Sequence, residues 1–500
     1  MTERSAGAVA AGHELTARAA AQVLADGGNA FDAAIAGLWM ACLAEPVLAS
    51  PGGGGFLMAR EDANGHTTLY DFFVQTPLQK RNPQELEFFE VHADFGTATQ
   101  QFHIGHGASA TPGFVPGLYA VHHDLGSMPM ERLLEPAIAA ARGGVVTTRF
   151  QAFLAQVVEP ILTATETGRA QFAPVGGLRG AGDTFNNPGL ADFYEGLAAD
   201  GLDFYLGAAA ERFAAAQSES GQLRMQDFAE YRVERRMPLE IDLAGARVAV
   251  NPPPSAGGAF IAHALHGLER LADGEAATVA RALGASDEAR LRCRGDVVRM
   301  LAEIGVAADA APDGGPASRG TTHVSVIDRA GNAASATVSN GEGNGHIAGG
   351  FGFMLNNMLG EEDVNPTGFH QWREGLRPAS NMCPAVAELA DGGLIALGSG
   401  GSNRIRSAVF QVLVRMVRDG LDPEEAVHAA RVHVEAGHLD FEDDVAPETR
   451  TALTEAFPDH RPWGERNLFF GGVHAVRRVA DGGFDAAGDA RRGGTAVVLG

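Results

Sequence analysis

Hydrophobic spacing divides the chain into helix-rich and strand-rich stretches. Helical patterns separated by a Gly27-Gly28 break run over residues 1 to about 45, and the apolar tract Ala33 to Leu48, interrupted by Glu45-Pro46, reads as a buried helix. Segment 52–80 is strand-like, with Thr67-Thr68-Leu69-Tyr70 leading into Asp71-Phe72-Phe73-Val74. Residues 130–235 turn helical, 240–251 reads as a strand, and 259–309 returns to an Ala/Leu/Arg-rich helical pattern. From Thr321 onward strands dominate, followed by helices at about 404–419 and 423–432. Strand blocks interleaved with amphipathic helices predict an α/β (α+β) fold, two facing sheets covered by helices in an αββα sandwich.

The sharpest local signal is Gly320-Thr321-Thr322-His323-Val324-Ser325-Val326-Ile327-Asp328. Val324, Val326 and Ile327 predict a strand that ends at the turn Asp328-Arg329-Ala330-Gly331-Asn332. A loose polar tract, Ala311 to Arg319, precedes it. A Gly-Thr bond between a flexible linker and a strand is what a self-cleaving N-terminal nucleophile hydrolase needs, the glycine allowing a strained backbone. Cleavage between Gly320 and Thr321 would leave Thr321 with both a hydroxyl nucleophile and a free α-amine. That amine titrates near ~7.7–8.0 and suits the role of general base. As a bare tetrapeptide, however, Gly-Thr-Thr-His is an ordinary loop–strand junction.

Its company decides the reading. Gly27-Gly28-Asn29-Ala30-Phe31-Asp32, Glu45-Pro46, Ser50-Pro51-Gly52-Gly53-Gly54-Gly55-Phe56 and Thr111-Pro112-Gly113 precede it in order. Tyr231-Arg232 and Pro252-Pro253-Pro254-Ser255-Ala256-Gly257-Gly258 also lie upstream. Leu355-Asn356-Asn357, Arg377-Pro378-Ala379-Ser380, Gly398-Ser399-Gly400-Gly401-Ser402-Asn403-Arg404-Ile405 and Gly488-Asp489 follow. In this order the chain resembles the γ-glutamyltranspeptidase family of N-terminal nucleophile hydrolases nearly end to end.

The resemblance implies a proenzyme that splits into a large segment, 1–320, and a small segment, 321–500, interlocked in a single structural domain. It implies amide hydrolysis or acyl transfer through a Thr321 ester, with glutathione or related γ-glutamyl compounds as the family substrate. The alternatives are an acylase or amidase for another acyl group, as with cephalosporin side chains or small amides, and an unprocessed binding protein. Oxyanion donors would come from Gly400, Gly401 or Ser402, two of the three depending on alignment. Ser339 would steady the nucleophile, with Thr337 on the same strand. Asn340, Glu361, Ser380 and Asn381 fall at substrate-binding positions.

The match weakens where the family keeps an arginine for the γ-glutamyl α-carboxylate: after Asp71-Phe72 stands Phe73. Met358 replaces a polar amide, although Glu361, Glu362 and Asp363 keep acids nearby. Loss of a bidentate clamp disfavours an anionic acyl group unless Arg377, Arg404 or another cation reaches in.

Composition narrows the partners. Five hundred residues suffice for about three average domains, and 45% hydrophobic content supplies a large core. A formal charge of −24 argues against nucleic acid or an anionic membrane. No apolar run approaches a membrane span. Three unpatterned cysteines, Cys42, Cys293 and Cys383, and an N-terminus without a signal-like core point to a reducing, cytoplasmic setting. No Gly-x-Ser-x-Gly elbow, Walker sequence or dinucleotide fingerprint occurs, so no cofactor is expected. His103 and His106, like His122-His123, lack a third ligand at metal-like spacing, so no metal is expected either. The expected partners are a small amide substrate and the two segments themselves, and a homo-oligomer is compatible with both.

Overall fold

The computed structural model describes residues 7–94, 99–269, 276–308, 320–362, 364–365 and 368–500. The Ala311–Arg319 tract, Asp363 and the first six residues lie outside these.

Thirteen strands build two antiparallel sheets. In chain order they are β1 (Gly7–Ala11), β2 (Gly54–Arg60), β3 (Thr67–Phe72), β4 (Glu234–Arg236), β5 (Leu239–Leu243), β6 (Ala246–Val250), β7 (Thr321–Asp328), β8 (Ala333–Ser339), β9 (Ala385–Glu388), β10 (Leu394–Gly400), β11 (Gly472–Arg478), β12 (Phe484–Gly488) and β13 (Thr495–Leu499). The first sheet runs β13-β1-β7-β8-β2-β3-β4 and the second β12-β11-β10-β9-β6-β5. Strands from both sides of the 320–321 bond enter both sheets.

Period-two alternation assigns each face of β7. Val324 and Val326 pack outward with helices α1 (Glu14–Ala25) and α2 (Ala30–Ala44), while Ile327 joins the core between the sheets. Helix α2 begins with a capping box, in which Asn29 and Asp32 exchange bonds with each other's backbone N–H, and it stops at Glu45 ahead of Pro46. Every residue in it is buried, as expected of an apolar-all-round helix between a sheet and a second helical layer. Helices α3 (Phe114–Leu125), α4 (Met130–Gly143) and α5 (Pro188–Phe204) complete that layer. Helices α6 (Ala256–Glu269), α7 (Ala276–Arg292) and α8 (Arg404–Leu413) cover the second sheet, completing four layers.

Two details differ from the sequence reading. Gly7–Ala11 is a strand paired on both edges, with β7 and β13, rather than part of a helical run. Five small apolar residues carry too little periodicity to separate the two. Segment 240–251 is a hairpin, β5 and β6, turned at Ala244 and Gly245, both at positive φ.

Candidate active site

The β7–β8 hairpin opposes Thr321 to Ser339 and His323 to Thr337. Asp328 fixes its turn, accepting bonds from the N–H groups of Gly331 and Asn332 at 3.0 Å each. On the inner face His323 is fully buried, with Nδ1 2.8 Å from the Thr337 hydroxyl and Nε2 2.8 Å from Ser325. Burial and the nearby His474 hold its pKa well below the ordinary histidine value, so the ring is neutral and both its nitrogens are engaged. The outward neighbour, Thr322, donates to Glu45 Oε2 at 2.7 Å, and Thr16 donates to Glu45 Oε1 at 2.9 Å. Burial raises the Glu45 pKa to about 7 against those two bonds.

The Ser339 hydroxyl donates to the Gly320 carbonyl oxygen at 2.6 Å and accepts from Gly341 N–H at 3.1 Å. Glycine at 320 is demanded by space, not by strained dihedrals: its φ is not in the left-handed region, but a Cβ there would fall 1.9 Å from Gly341 O. Gly400 obeys the same rule, since a Cβ would lie 2.2 Å from Thr321 O. Thus β10 ends against the backbone of Thr321. The turn continues through Gly401 and buried Ser402, at φ 56°, to the N-terminus of α8. That terminus is the positive end of the helix.

Gly320 also lines a cavity of about 590 Å³. Glu342, Glu361 and Glu362 supply acids to its wall and Arg404, Arg461 and Arg492 supply cations. Val47, Leu154, Val157, Trp463 and Phe469 add apolar surface. Arg461 is committed to Asp440 at 2.6 Å. Arg404 donates to Phe469 O at 3.1 Å and lies over the Phe469 ring. Arg492 is 8% exposed and its guanidinium runs alongside Gly400 and Gly401: Cβ atoms built there would lie 3.4 and 3.2 Å from its terminal nitrogens. No carboxylate lies within ion-pairing distance of Arg492 among the described residues, and burial together with the neighbouring Arg404 lowers its pKa to about 10. It stays charged at neutral pH. Among the described residues the wall holds no cluster of metal-ligating side chains.

Other expected site residues sit apart from this wall. Phe73 is a correction: it is fully buried in the core, stacked on Phe56 with ring centroids 5.6 Å apart, and does not line the cavity. Its apolar ring belongs to the inner face, where Ile327 and Met58 also pack. Arg377 caps the same buried corner, donating to Phe73 O and stacking on Tyr231 at 4.4 Å. Ser380 is buried and accepts from Met382 N–H, while Asn381 donates to Asn403 at 2.8 Å, just beyond Ser402. Asn340, next to Ser339 in the chain, is buried, its Oδ1 without a partner among the described residues. Sequence reasoning missed Glu45, Glu342 and Arg492 as site neighbours. Only Glu45, quoted within a family motif, carried a signal.

Comparison with known proteins follows the same outline. The family model described as gamma-glutamyltranspeptidase matches residues 16–293 and 295–499. A glutathione hydrolase proenzyme from Pseudomonas aeruginosa is 29% identical, over 99% of this chain and 94% of its own. An acylase ACY 1 proenzyme from Pseudomonas sp. strain SE83 is also 29% identical, with the same coverage. The crystal structure of cephalosporin acylase from Bacillus halodurans superposes with a TM-score of 0.83 over 99% of this chain and 96% of that one, at 21% identity.

Proposed function

Because this chain belongs to the gamma-glutamyltranspeptidase family, we propose that it is a self-processing amide hydrolase or acyltransferase whose nucleophile is Thr321. One arrangement carries the reading: the Ser339 hydroxyl donates to the Gly320 carbonyl, Gly400 packs against Thr321 O beside the Arg492 guanidinium, and Gly320 and Arg492 line the same cavity.

In the first step the Thr321 hydroxyl adds to the Gly320 carbonyl carbon. The Ser339 O–H, already donating to that oxygen, stabilises the developing charge. The C–N bond breaks and the departing nitrogen takes the proton, freeing the α-amine of Thr321, and water then hydrolyses the Gly320 ester to release the Gly320 carboxylate and restore the Thr321 hydroxyl. In turnover that amine accepts the hydroxyl proton as Thr321 adds to a substrate amide. Main-chain N–H groups of the Gly400-Gly401-Ser402 turn, at the positive end of α8, stabilise the oxyanion. The proton passes to the departing amine, and water or an acceptor amine then takes the acyl group. His323 is not the base, because both its nitrogens are engaged by hydroxyls.

The substrate is read as an amide whose acyl chain ends in a carboxylate, γ-glutamyl or glutaryl in type. Arg492 and Arg404 on the cavity wall supply the cations that the Phe73 position lacks, one from the far end of the chain and one from α8. Glu342 and Glu361 on the same wall suit an α-ammonium, which favours γ-glutamyl over glutaryl. The acylase alternative rests on the equal identity of the acylase and glutathione hydrolase relatives.

The test compares kcat/KM for γ-glutamyl, glutaryl and neutral aliphatic anilides in wild type and Arg492→Gln. Anionic acyl groups should win by more than tenfold in wild type, and the variant should lose roughly 10- to 150-fold on them alone, the range for one charge-assisted bond. Equal rates for the neutral anilide in wild type would overturn the carboxylate reading and leave the Thr321 mechanism standing.

A further inference from the structure

Away from the cavity, the hairpin of residues 89–94 and 99–104 leads into a short turn bearing His106. There the fold brings together what the sequence spacing alone could not. Glu87 precedes that hairpin, and His346 lies in the loop that follows β8. A carboxylate oxygen of Glu87 and one ring nitrogen each of His106 and His346 all lie within 4.8 Å of one another. None of the three lines the active-site cavity.

Their surroundings hold them in place. Glu87 Oε2 accepts from His346 Nε2 at 2.8 Å and from the His106 main-chain N–H at 3.1 Å. The Glu87 carbonyl accepts from Gly107 N–H at 2.9 Å, and its own N–H is bonded to Ser220 O at 2.9 Å. The two imidazoles lie face to face, centroids 3.8 Å apart and planes 14° from parallel. His346 is further fixed through its N–H on Asn344 Oδ1 at 3.0 Å. The Glu87–His346 pair accounts for two of the three side chains. It leaves buried Nδ1 of His106 with no partner among the described residues, an arrangement that needs an explanation in a folded protein.

We propose that Glu87, His106 and His346 form a binding site for a divalent transition-metal ion of the zinc class. Two imidazoles and one carboxylate are a donor set that such ions accept, and three protein ligands leave a position for water. Ligand atoms about 2.0–2.2 Å from a common ion sit closer together than the outer limit seen here, so binding draws the cluster inward through small side-chain rotations. All three side chains are partly exposed, which gives the ion an entry path. Bound there, the ion would fasten the loop from Asn340 to His346 onto the His106 turn. Gly105 N–H already bonds Asn344 O across that junction at 2.9 Å. Glu342 of the same loop reaches the cavity wall, so the site lies one loop away from the substrate.

The test uses the whole enzyme freed of metal by chelation. Cobalt(II) titration followed by ligand-field absorption, with zinc competition by equilibrium dialysis, should give one ion per chain. His106→Gln and His346→Gln should each weaken binding at least tenfold. Unchanged stoichiometry and affinity in the His106→Gln/His346→Gln double variant, or no binding by wild type, would overturn the proposal. X-ray absorption on zinc-loaded wild type decides the matter without a variant. Two imidazole shells with oxygen are expected; a shell without imidazole overturns it.

Discussion

The hydroxyl of Ser339 donates to the carbonyl oxygen of Gly320 at 2.6 Å, across the register pair that sets Ser339 opposite Thr321. The bond proposed to be cut is therefore held and polarised by the strand beside it. Removing that donor in Ser339→Ala should slow self-cleavage roughly 100-fold, in line with the loss of one oxyanion donor, with Ser339→Thr retaining most of the rate. A time course of chain splitting on denaturing gels measures it, and equal rates for the Ala and Thr variants would refute the role.

Thr321→Ala should remain a single 500-residue chain, because the hydroxyl proposed to attack the Gly320 carbonyl is gone. Thr321→Ser should split, and intact mass should give fragments ending at 320 and beginning at 321. Splitting of the Ala variant at the same bond would remove Thr321 from the mechanism.

Gly400→Ala places a methyl 2.2 Å from Thr321 O, so strand β10 must retreat from β7. Loss of the close approach should cut substrate-amide cleavage by roughly 100-fold or more, the scale of a misplaced oxyanion donor. Circular dichroism checks that the sheets persist. A folded variant that cleaves at the native rate would place the donors elsewhere.

Glu45 gives a pH signature. Its pKa stands at about 7 in the fold against 4.5 ordinarily. The folded state then holds more protons than the unfolded state between those values, so the contribution is complete below about 4.5 and is lost as pH rises through 7. The loss is on the order of 3 kcal/mol at alkaline pH. Glu45→Gln cannot ionise, so its Tm should fall less than that of wild type between pH 6 and pH 9. Parallel Tm curves would show that Glu45 ionises without cost.

Most of the hairpin was legible in the sequence. The Val324, Val326, Ile327 alternation and the Asp328–Asn332 turn fix both strands, and the turn length puts Ser339 opposite Thr321. Helix α2 was equally plain, because Pro46 ends a wholly apolar run. What escaped was whatever depends on contacts distant in the chain. Phe73 stands at the position of a binding residue in the motif order, yet its ring faces Phe56 because residue 73 continues the inward face of the core. Arg492 reaches the active-site turn from eight residues before the chain's end, through the pairing of β11 with β10, which no local pattern encodes. His106 had no visible partner until the loop after β8 delivered His346.

The strand that begins at Thr321 sits third in a seven-stranded sheet, with β1 from the first segment on one edge and β8 from the second on the other, and β13 closes the sheet beyond β1. A break at 320–321 would sever the chain without severing the sheet. It does change what unfolding means. Before the cut, a molten precursor retains every residue on one tether and returns along a first-order path. After it, each half must find a partner again in solution, with hydrophobic edges exposed while it searches. Under the proposed cleavage, maturation would turn a reversible fold into one whose durability is set by the height of its unfolding barrier. The mature enzyme should lose refolding yield on dilution where the uncut Thr321→Ala chain does not.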